Sequence, residues 1–230
     1  MIDLALLYDN CVYSSIAHAL YMLREPFFAA ERSWDGMNYS YNSFSGIYGT
    51  ISFDLAAGIA AGAFRDDHSP LVERYPEFKA AELFSQAPEN VRRLAENEAI
   101  QYLFDERGGV TQPIVTAAFW CVGGEVTFAG GREEFEANGG EPFFELAVSR
   151  SELRTALAEG YSLNDEEAAA AELIFSRFKE HTPIKRQEVP LIAPKETKKR
   201  GLFTKKNAAQ DNNGFTECIA SLGELGIVIE

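Results

Sequence analysis

Residues 34–66 constrain the fold of this chain more than any other stretch, because their periodicity is that of β-strands. Tyr39 and Tyr41 fall on one face of an extended segment, and small polar residues alternate with them on the other face. A second strand is predicted over 47–53, after a turn rich in Asn, Ser and Gly. A third, over 58–65, is almost entirely Ala and Gly, so a helix or another backbone can approach it closely. The pattern predicts a three-stranded antiparallel meander.

Helical spacing of apolar residues dominates much of the remaining chain. It predicts helices over 3–24, 77–86, 88–108 and 163–181, and a shorter helix that begins after Ser149 or Ser151. The first of these helices is a candidate to cover the small-residue face of the meander. Two apolar runs joined by Gly123-Gly124 predict a hairpin over 116–130, and a strand is predicted over 142–148. Helices interleaved with hairpins predict an α+β fold, with an antiparallel sheet built from the meander and the hairpin and packed with several helices.

The C-terminal region divides into a basic segment and an apolar segment. Residues 185–213 are rich in basic and polar side chains, which predicts a long loop or linker. Residues 214–230 are predicted to return to the core of a single domain, residues 1–230, as a helix followed by a strand. The stretch KETKKRGLFTKK could bind a nucleic acid or an acidic lipid surface. We favour a solvated loop, because the acidic body beside it opposes both.

The charge distribution restricts the class of partner. Residues 1–184 hold 29 acidic and 13 basic side chains, whereas residues 185–206 hold 2 acidic and 8 basic ones. With a net charge of −14, the chain should repel nucleic acid and anionic membranes and attract a basic protein. Acidity that serves solubility alone is the alternative. We therefore expect a protein partner, and neither a nucleic acid nor a membrane.

Cysteine usage and the absence of sorting signals favour the cytoplasm. Cys11, Cys121 and Cys218 are odd in number and lie in apolar surroundings, which is typical of reduced core residues. The first ten residues, MIDLALLYDN, contain two acidic residues, Asp3 and Asp9, and no basic one, so we expect no secretory signal. The longest uncharged apolar run, LAAGIAAGAF at 55–64, is too short to span a bilayer.

The sequence contains none of the common catalytic or metal-binding motifs, so we expect no cofactor, no catalytic residue and no metal ligand. Its best polar cluster is FRDDHSP, where Asp66, Asp67 and His68 could supply metal ligands or a carboxylate pair for acid–base catalysis. Adjacent strand residues point to opposite faces, so a turn that ends a strand is the favoured interpretation. His18, in the middle of a predicted helix, is interpreted as a packed histidine.

The stretch WDGMNYSYNSFSGIYGTISF permits two interpretations. Its aromatic residues are common in strands, and Trp34-Asp35-Gly36 suits a turn. Alternatively, its aromatic and acidic side chains form an exposed recognition surface, because Trp and Tyr are over-represented among interface hot spots. On the second interpretation, the candidate partner-binding residues are Trp34, Asp35, Tyr39, Tyr41, Tyr48, Asp66 and Asp67.

This stretch, followed by GAFRDD, resembles the W-x-G-x-N-Y, G-x-x-G-x-I-x-F and G-x-F pattern of small bacterial proteins, some of which are immunity proteins of toxin systems. The resemblance covers residues 34–67. It implies a cytoplasmic, non-enzymatic protein that binds a cognate toxin, and it supplies no catalytic residues.

The leading hypothesis is an acidic binding protein that neutralises a basic partner, such as a toxin, by occluding its site. The alternative is a hydrolase-type enzyme with a site around Asp66, Asp67 and His68, and a scaffold component is a third possibility. A deep polar pocket that holds Asp67 and His68 would favour the enzyme. An exposed acidic surface with tyrosines would favour the binding protein.

Overall fold

The computed structural model describes residues 3–75, 77, 79–192 and 205–230, with side chains in the last range from residue 213 onward. Its α-helices are α1 (Leu4–Met22), α2 (Glu89–Asn97), α3 (Arg132–Phe135), α4 (Glu141–Leu146), α5 (Arg150–Gly160), α6 (Asp165–Glu180) and α7 (Lys205–Glu224). Its strands are β1 (Arg32–Asp35), β2 (Asn38–Asn42), β3 (Ile47–Asp54), β4 (Ile59–Asp66), β5 (Phe104–Arg107), β6 (Val110–Pro113), β7 (Ala117–Val122) and β8 (Glu125–Phe128). The α+β class predicted from the sequence is confirmed.

The described chain divides into two compact units. Unit 1 comprises Met1–Asn10 and Trp34–Ser149, and unit 2 comprises Cys11–Ser33 and Arg150–Glu230. The strands form a six-stranded antiparallel sheet in the order β1-β2-β3-β4-β7-β8 and a separate two-stranded sheet of β5 and β6.

The predicted meander is confirmed, with residue pairs that place each side chain on the expected face. Tyr39 pairs with Ile51 and Tyr41 with Gly49, so both tyrosines lie on one face of the sheet. Strand β3 continues antiparallel into β4. The predicted hairpin at Gly123-Gly124 is also confirmed, as β7 and β8. Both glycines have positive φ, the conformation that the tightest hairpin turns require.

Glycines within the meander allow phenylalanine rings to lie against the backbone of the sheet. A Cβ atom at Gly62 would be 2.0 Å from the Phe119 ring, and one at Gly49 would be 2.4 Å from the Phe64 ring. Phe119 in turn contacts Phe143, with ring centroids 4.3 Å apart. These two glycines therefore admit aromatic rings, whereas the sequence predicts the approach of a helix or another backbone.

Helix α4 replaces the strand predicted over 142–148, so that prediction is wrong. Pro142 suits the first helical turn, where its missing N–H has no intrahelical partner to lose. Phe143 and Leu146, three residues apart, are both buried, whereas Glu145 is exposed. A short apolar run has no clear periodicity, and here the buried residues follow the helical one.

One face of the sheet, opposite to the face that carries Phe119, is covered by α2 and the 3₁₀ turns around it. Ala61 and Ala63 share a buried cluster with Val91 and Ala95 of α2. The predicted covering by the N-terminal helix is therefore wrong for this face. Within unit 1, α1 instead brings Tyr8 against Phe53, on the other face, with ring centroids 5.3 Å apart.

The helix predicted over 88–108 is too long. Helix α2 ends at Asn97, a 3₁₀ turn follows at Ala99–Leu103, and the chain then forms the hairpin β5–β6. Gly108 and Gly109 both have positive φ, so the glycine pair turns a hairpin as well as preventing a helix. The helix predicted over 77–86 is a 3₁₀ turn, Ala80–Phe84, in the residues described there.

In unit 2, the predicted helix over 163–181 is confirmed as α6, with a capping box at its start. The backbone N–H of Glu167 donates to Asn164 Oδ1, and the backbone N–H of Asn164 donates to Glu167 Oε2, both at 3.0 Å. Helix α5 confirms the shorter helix predicted before it.

The predicted loop over 185–213 is wrong at its C-terminal end. Helix α7 begins at Lys205, while the intervening residues 193–204 lie outside the described part of the chain. Helix α7 continues through the buried Gly214, where a Cβ atom would be 2.7 Å from the carbonyl oxygens of Met22 and Leu23. The helical spacing predicted after residue 214 is confirmed. The strand predicted after it is reduced to an isolated parallel bridge between Ile184 and Ile229.

Candidate interaction surface

Two of the aromatic residues predicted to bind a partner are buried. Trp34 is 6% exposed and Tyr39 is 1% exposed. Trp34 lies in a ring cluster with Tyr8, Tyr39 and Phe53, at centroid distances of 5.6 to 6.4 Å. The prediction that Trp34 and Tyr39 form an exposed recognition surface is wrong, because sheet alternation turns both rings into the core of unit 1.

We expect Trp34→Ala to lower the free energy of unfolding by about 3–5 kcal/mol, since it removes a large buried ring and leaves a cavity. Chemical denaturation of the variant, monitored by the remaining Trp120, would measure this loss. The matched change Phe44→Ala, at a ring that is 47% exposed, should cost much less. Equal losses in the two variants would contradict the placement of Trp34 in the core.

The predicted cluster at Asp66, Asp67 and His68 does not converge on a common point. Asp66 Oδ1 accepts a hydrogen bond from the His68 amide at 2.8 Å, which is the expected turn at the end of β4. His68 Nε2 lies 3.2 Å from the Ser45 carbonyl oxygen and the Asp67 carboxylate binds Arg65 at 2.6 Å. Each side chain has a local partner, so this geometry favours the turn over a hydrolase site.

Arg65 is the centre of an ion-pair network. It donates to Asp67 and to Asp105, each at 2.6 Å. The Tyr48 ring lies against its guanidinium, 5.3 Å from ring centroid to Cζ. Arg107 contributes longer contacts to both carboxylates, at 3.6 and 3.7 Å. The pKa of Asp105 is lowered, first by the hydrogen bond from the Glu106 amide and then by Arg65. Two predicted residues, Tyr48 and Asp67, are therefore half-buried parts of this network. Tyr41 is also half-buried, but it lies on the face of the sheet opposite to Tyr48.

A second polar network surrounds Tyr102 and includes the predicted Asp35. The Tyr102 hydroxyl donates to Asp35 Oδ2 at 2.8 Å. Asn38 Nδ2 donates to Glu98 Oε2 at 2.9 Å and to the Tyr102 oxygen at 3.1 Å. Burial raises the pKa of Tyr102 to about 12, with the Asp35 hydrogen bond as the next cause. The phenol therefore remains a protonated donor at neutral pH.

We call this group, together with the neighbouring Met37, the Tyr102 cluster: Asp35, Met37, Asn38, Glu98 and Tyr102. Tyr102 and Met37 are each 38% exposed, and the Asp35 side chain is also exposed. The cluster thus presents two fixed carboxylates beside an aromatic ring, and the exposed Met37 lies two residues after Asp35 in the chain. Trp, Tyr and Met are enriched in protein interfaces, and rigid side chains lose little entropy on binding.

The charge of the protein is concentrated in the unit that carries the Tyr102 cluster. Unit 1 contains 20 acidic and 7 basic side chains, a balance of −13, whereas unit 2 contains 15 and 14, a balance of −1. Residues 34–64 contain no basic side chain. A cationic surface would therefore be attracted mainly to unit 1.

Sequence reasoning missed Glu98 and Tyr102. Both fall within the helix predicted over 88–108, which ends at Asn97 in the structure. The Gly108-Gly109 pair was the available signal for a hairpin, and a hairpin there would have shortened the helix. The pairing with Asp35, 67 residues away in sequence, left no local signal.

Unit 2 contains a buried polar cluster around His18. His18 is fully buried, and its Nε2 lies 3.1 Å from the Phe28 carbonyl oxygen. Burial, and then the charge of Arg32, lowers the pKa of His18 to about 3, so the ring is neutral at physiological pH. Nearby, the Tyr161 hydroxyl donates to Glu31 at 2.6 Å and accepts from Arg32 at 2.7 Å. The prediction of a packed histidine is confirmed.

Among the residues that the structure describes, no group of three or more His, Cys, Asp or Glu side chains is arranged to hold a metal ion. In the same part of the chain, every helix is too short or too polar to cross a membrane. No protein-family model, curated protein or solved structure matches the chain.

Proposed function

We propose that this protein captures a basic protein partner through the Tyr102 cluster of unit 1. The observation that carries the proposal is the fixed arrangement of the Asp35 and Glu98 carboxylates beside the exposed Tyr102 ring. Each carboxylate uses one oxygen within the cluster. The other oxygen can accept a hydrogen bond from a lysine or arginine of the partner.

The arrangement suits recognition because it is formed before the partner arrives. Tyr102 is held by hydrogen bonds to Asp35 and Asn38, so its ring loses little rotational freedom on binding. Its exposed face can accept an apolar side chain or, by a cation–π contact, an arginine. The acidic surround of unit 1 raises the rate of encounter with a cationic surface.

Neutralisation of a toxin by occlusion is the form of this function that we propose. The resemblance of residues 34–67 to immunity proteins supports it, as does the preference of an acidic surface for a basic protein. Such a protein needs no chemistry of its own, because covering the catalytic or receptor-binding surface of the toxin is sufficient. We place this activity in the cytoplasm on the same resemblance.

Site-specific photo-crosslinking in the native host tests the proposal. A photoreactive amino acid replaces Met37, inside the Tyr102 cluster, or Phe44, an exposed position in the turn between β2 and β3. We expect one basic protein to be crosslinked from the Met37 position and not from the Phe44 position. Equal products from both positions, or an acidic product at Met37, would contradict the proposal.

Complex formation should depend on ionic strength. Because the Debye length falls to about 8 Å at physiological salt, the association rate constant should decrease as sodium chloride is added. Electrostatic steering typically accounts for about 10- to 1,000-fold in this rate at low salt. Stopped-flow measurement with the partner that crosslinking identifies would test this expectation, and an association rate constant independent of salt would exclude charge steering.

A further inference from the structure

A groove beside the Tyr102 cluster separates α2 from the turn between β3 and β4. It has a volume of about 560 Å³, and the residues that line it include Asp54, Ile59, Glu89, Arg93, Leu94 and Glu98. Glu98 belongs both to this groove and to the Tyr102 cluster, so the two are continuous. The volume falls within the range of sites that hold a small ligand or a few side chains of a partner.

The walls and the floor of the groove differ in character. Asp54 lies at the end of β3, Glu89 is the first residue of α2 and Glu98 follows its last residue, so the walls carry carboxylates. Ile59 and Leu94 are apolar and belong to or pack against the buried cluster beneath. Asn90, Arg93, Leu94 and Asn97 lie on one face of α2, at helical spacing.

From this combination we propose that the groove is the socket for a lysine or arginine side chain of the basic partner, an inference that rests on the proposed function. Long cationic side chains lay their methylene stems on apolar surface and keep the charged end among polar groups. Here the stem would lie on Leu94 and Ile59, and the charged end would approach Asp54 and Glu98. Glu98 Oε2 already accepts from Asn38, which fixes the carboxylate in place.

Among the described residues that line the groove, Arg93 is the one basic side chain, and it forms an ion pair with Glu89 one turn earlier on α2. Both side chains are largely exposed, at 73% and 66%, so the pair contributes little to stability and can open. Arg93 therefore places a positive charge in the lining of the groove, and this charge repels the cationic side chain of the partner. Its removal should strengthen binding.

The structure offers matched controls for both signs of charge. Arg92 adjoins Arg93 on α2 and is exposed, but it does not line the groove. Glu96 is likewise an exposed acidic residue of α2 outside the lining. Arg93→Gln and Arg92→Gln change the net charge equally, as do Asp54→Asn and Glu96→Gln. Asp54→Asn also retains the oxygen that accepts from the Ala57 amide.

The experiment is a titration of each full-length variant with a deca-arginine peptide, followed by fluorescence anisotropy. We expect Arg93→Gln to raise affinity about fivefold and Asp54→Asn to lower it about fivefold, with less than about a twofold change in either control. Equal changes in affinity within each matched pair, or failure of the peptide to bind the protein, would overturn the proposal that the groove is the socket.

Failure of the socket can be told apart from failure of the proposed function. If the two members of each matched pair bind the peptide equally while Tyr102→Ala still weakens the natural complex, the groove is not the socket and the binding function stands. If the matched pairs differ while Tyr102→Ala has no effect on the natural complex, the socket binds cations but the Tyr102 cluster is not the interface.

Discussion

Phe119→Ala is expected to lower the free energy of unfolding by about 3–5 kcal/mol, among the largest losses available to a single substitution in this protein. Phe119 is fully buried and contacts the rings of Phe64, Phe135 and Phe143. Removal of its ring leaves a cavity where several other rings meet. Equilibrium denaturation measures the loss.

A double-mutant cycle with Gly62 shows whether the ring lies against the strand as described. Gly62→Ala alone should destabilise by about 1–3 kcal/mol, because the added Cβ overlaps the Phe119 ring. In the Phe119→Ala background the same change should cost much less, since the ring is absent. An unchanged cost of Gly62→Ala in both backgrounds would contradict the close approach of ring and strand.

Truncation after Gly214 is expected to unfold unit 2. The deletion removes Cys218 and Leu222, which are fully buried, and Ile227, which is 9% exposed. Burial of such side chains contributes about 1.5–3 kcal/mol each, so their combined loss approaches the total stability of a typical domain. Circular dichroism and denaturation of the truncated chain would measure this effect.

Single substitutions provide the control for the truncation. Leu222→Ala should lower the free energy of unfolding by about 2–5 kcal/mol, whereas Val228→Ala, at a side chain that is 59% exposed, should change it little. Cooperative unfolding of the truncated chain near the full-length temperature would show that α7 is not part of the core of unit 2.

The parts of the fold that were predictable from sequence are those specified by neighbouring residues. Two-residue alternation specified the meander, and the glycine pair at 123–124 specified the hairpin. Residues 142–148 were assigned wrongly because a short apolar run fits either a helix or a strand. The helix predicted over 88–108 was too long because residues 104–107 pair with 110–113 as a hairpin. The helical start of α7 at Lys205 was missed because a polar sequence without apolar periodicity resembles a loop.

The candidate site was predictable only in part, for a related reason. Alternation shows that Tyr39 and Tyr41 share a face of the sheet. It does not show that other residues pack against this face and bury Tyr39. Asp35 was correctly expected to be exposed, and it lies in the Tyr102 cluster. Its partners Glu98 and Tyr102 come from a distant segment, whose position depends on how α2 and the β5–β6 hairpin pack on the sheet.

The most direct test of the proposed function is the dissociation constant of the complex with the partner that crosslinking identifies. It would be measured by isothermal titration calorimetry for Tyr102→Ala and Phe44→Ala. Both changes remove an exposed aromatic ring of unit 1. We predict a loss of at least about 2 kcal/mol for Tyr102→Ala, roughly 30-fold in dissociation constant, and almost no loss for Phe44→Ala. Equal dissociation constants for the two variants and the unchanged protein would contradict the assignment of the Tyr102 cluster as the binding surface.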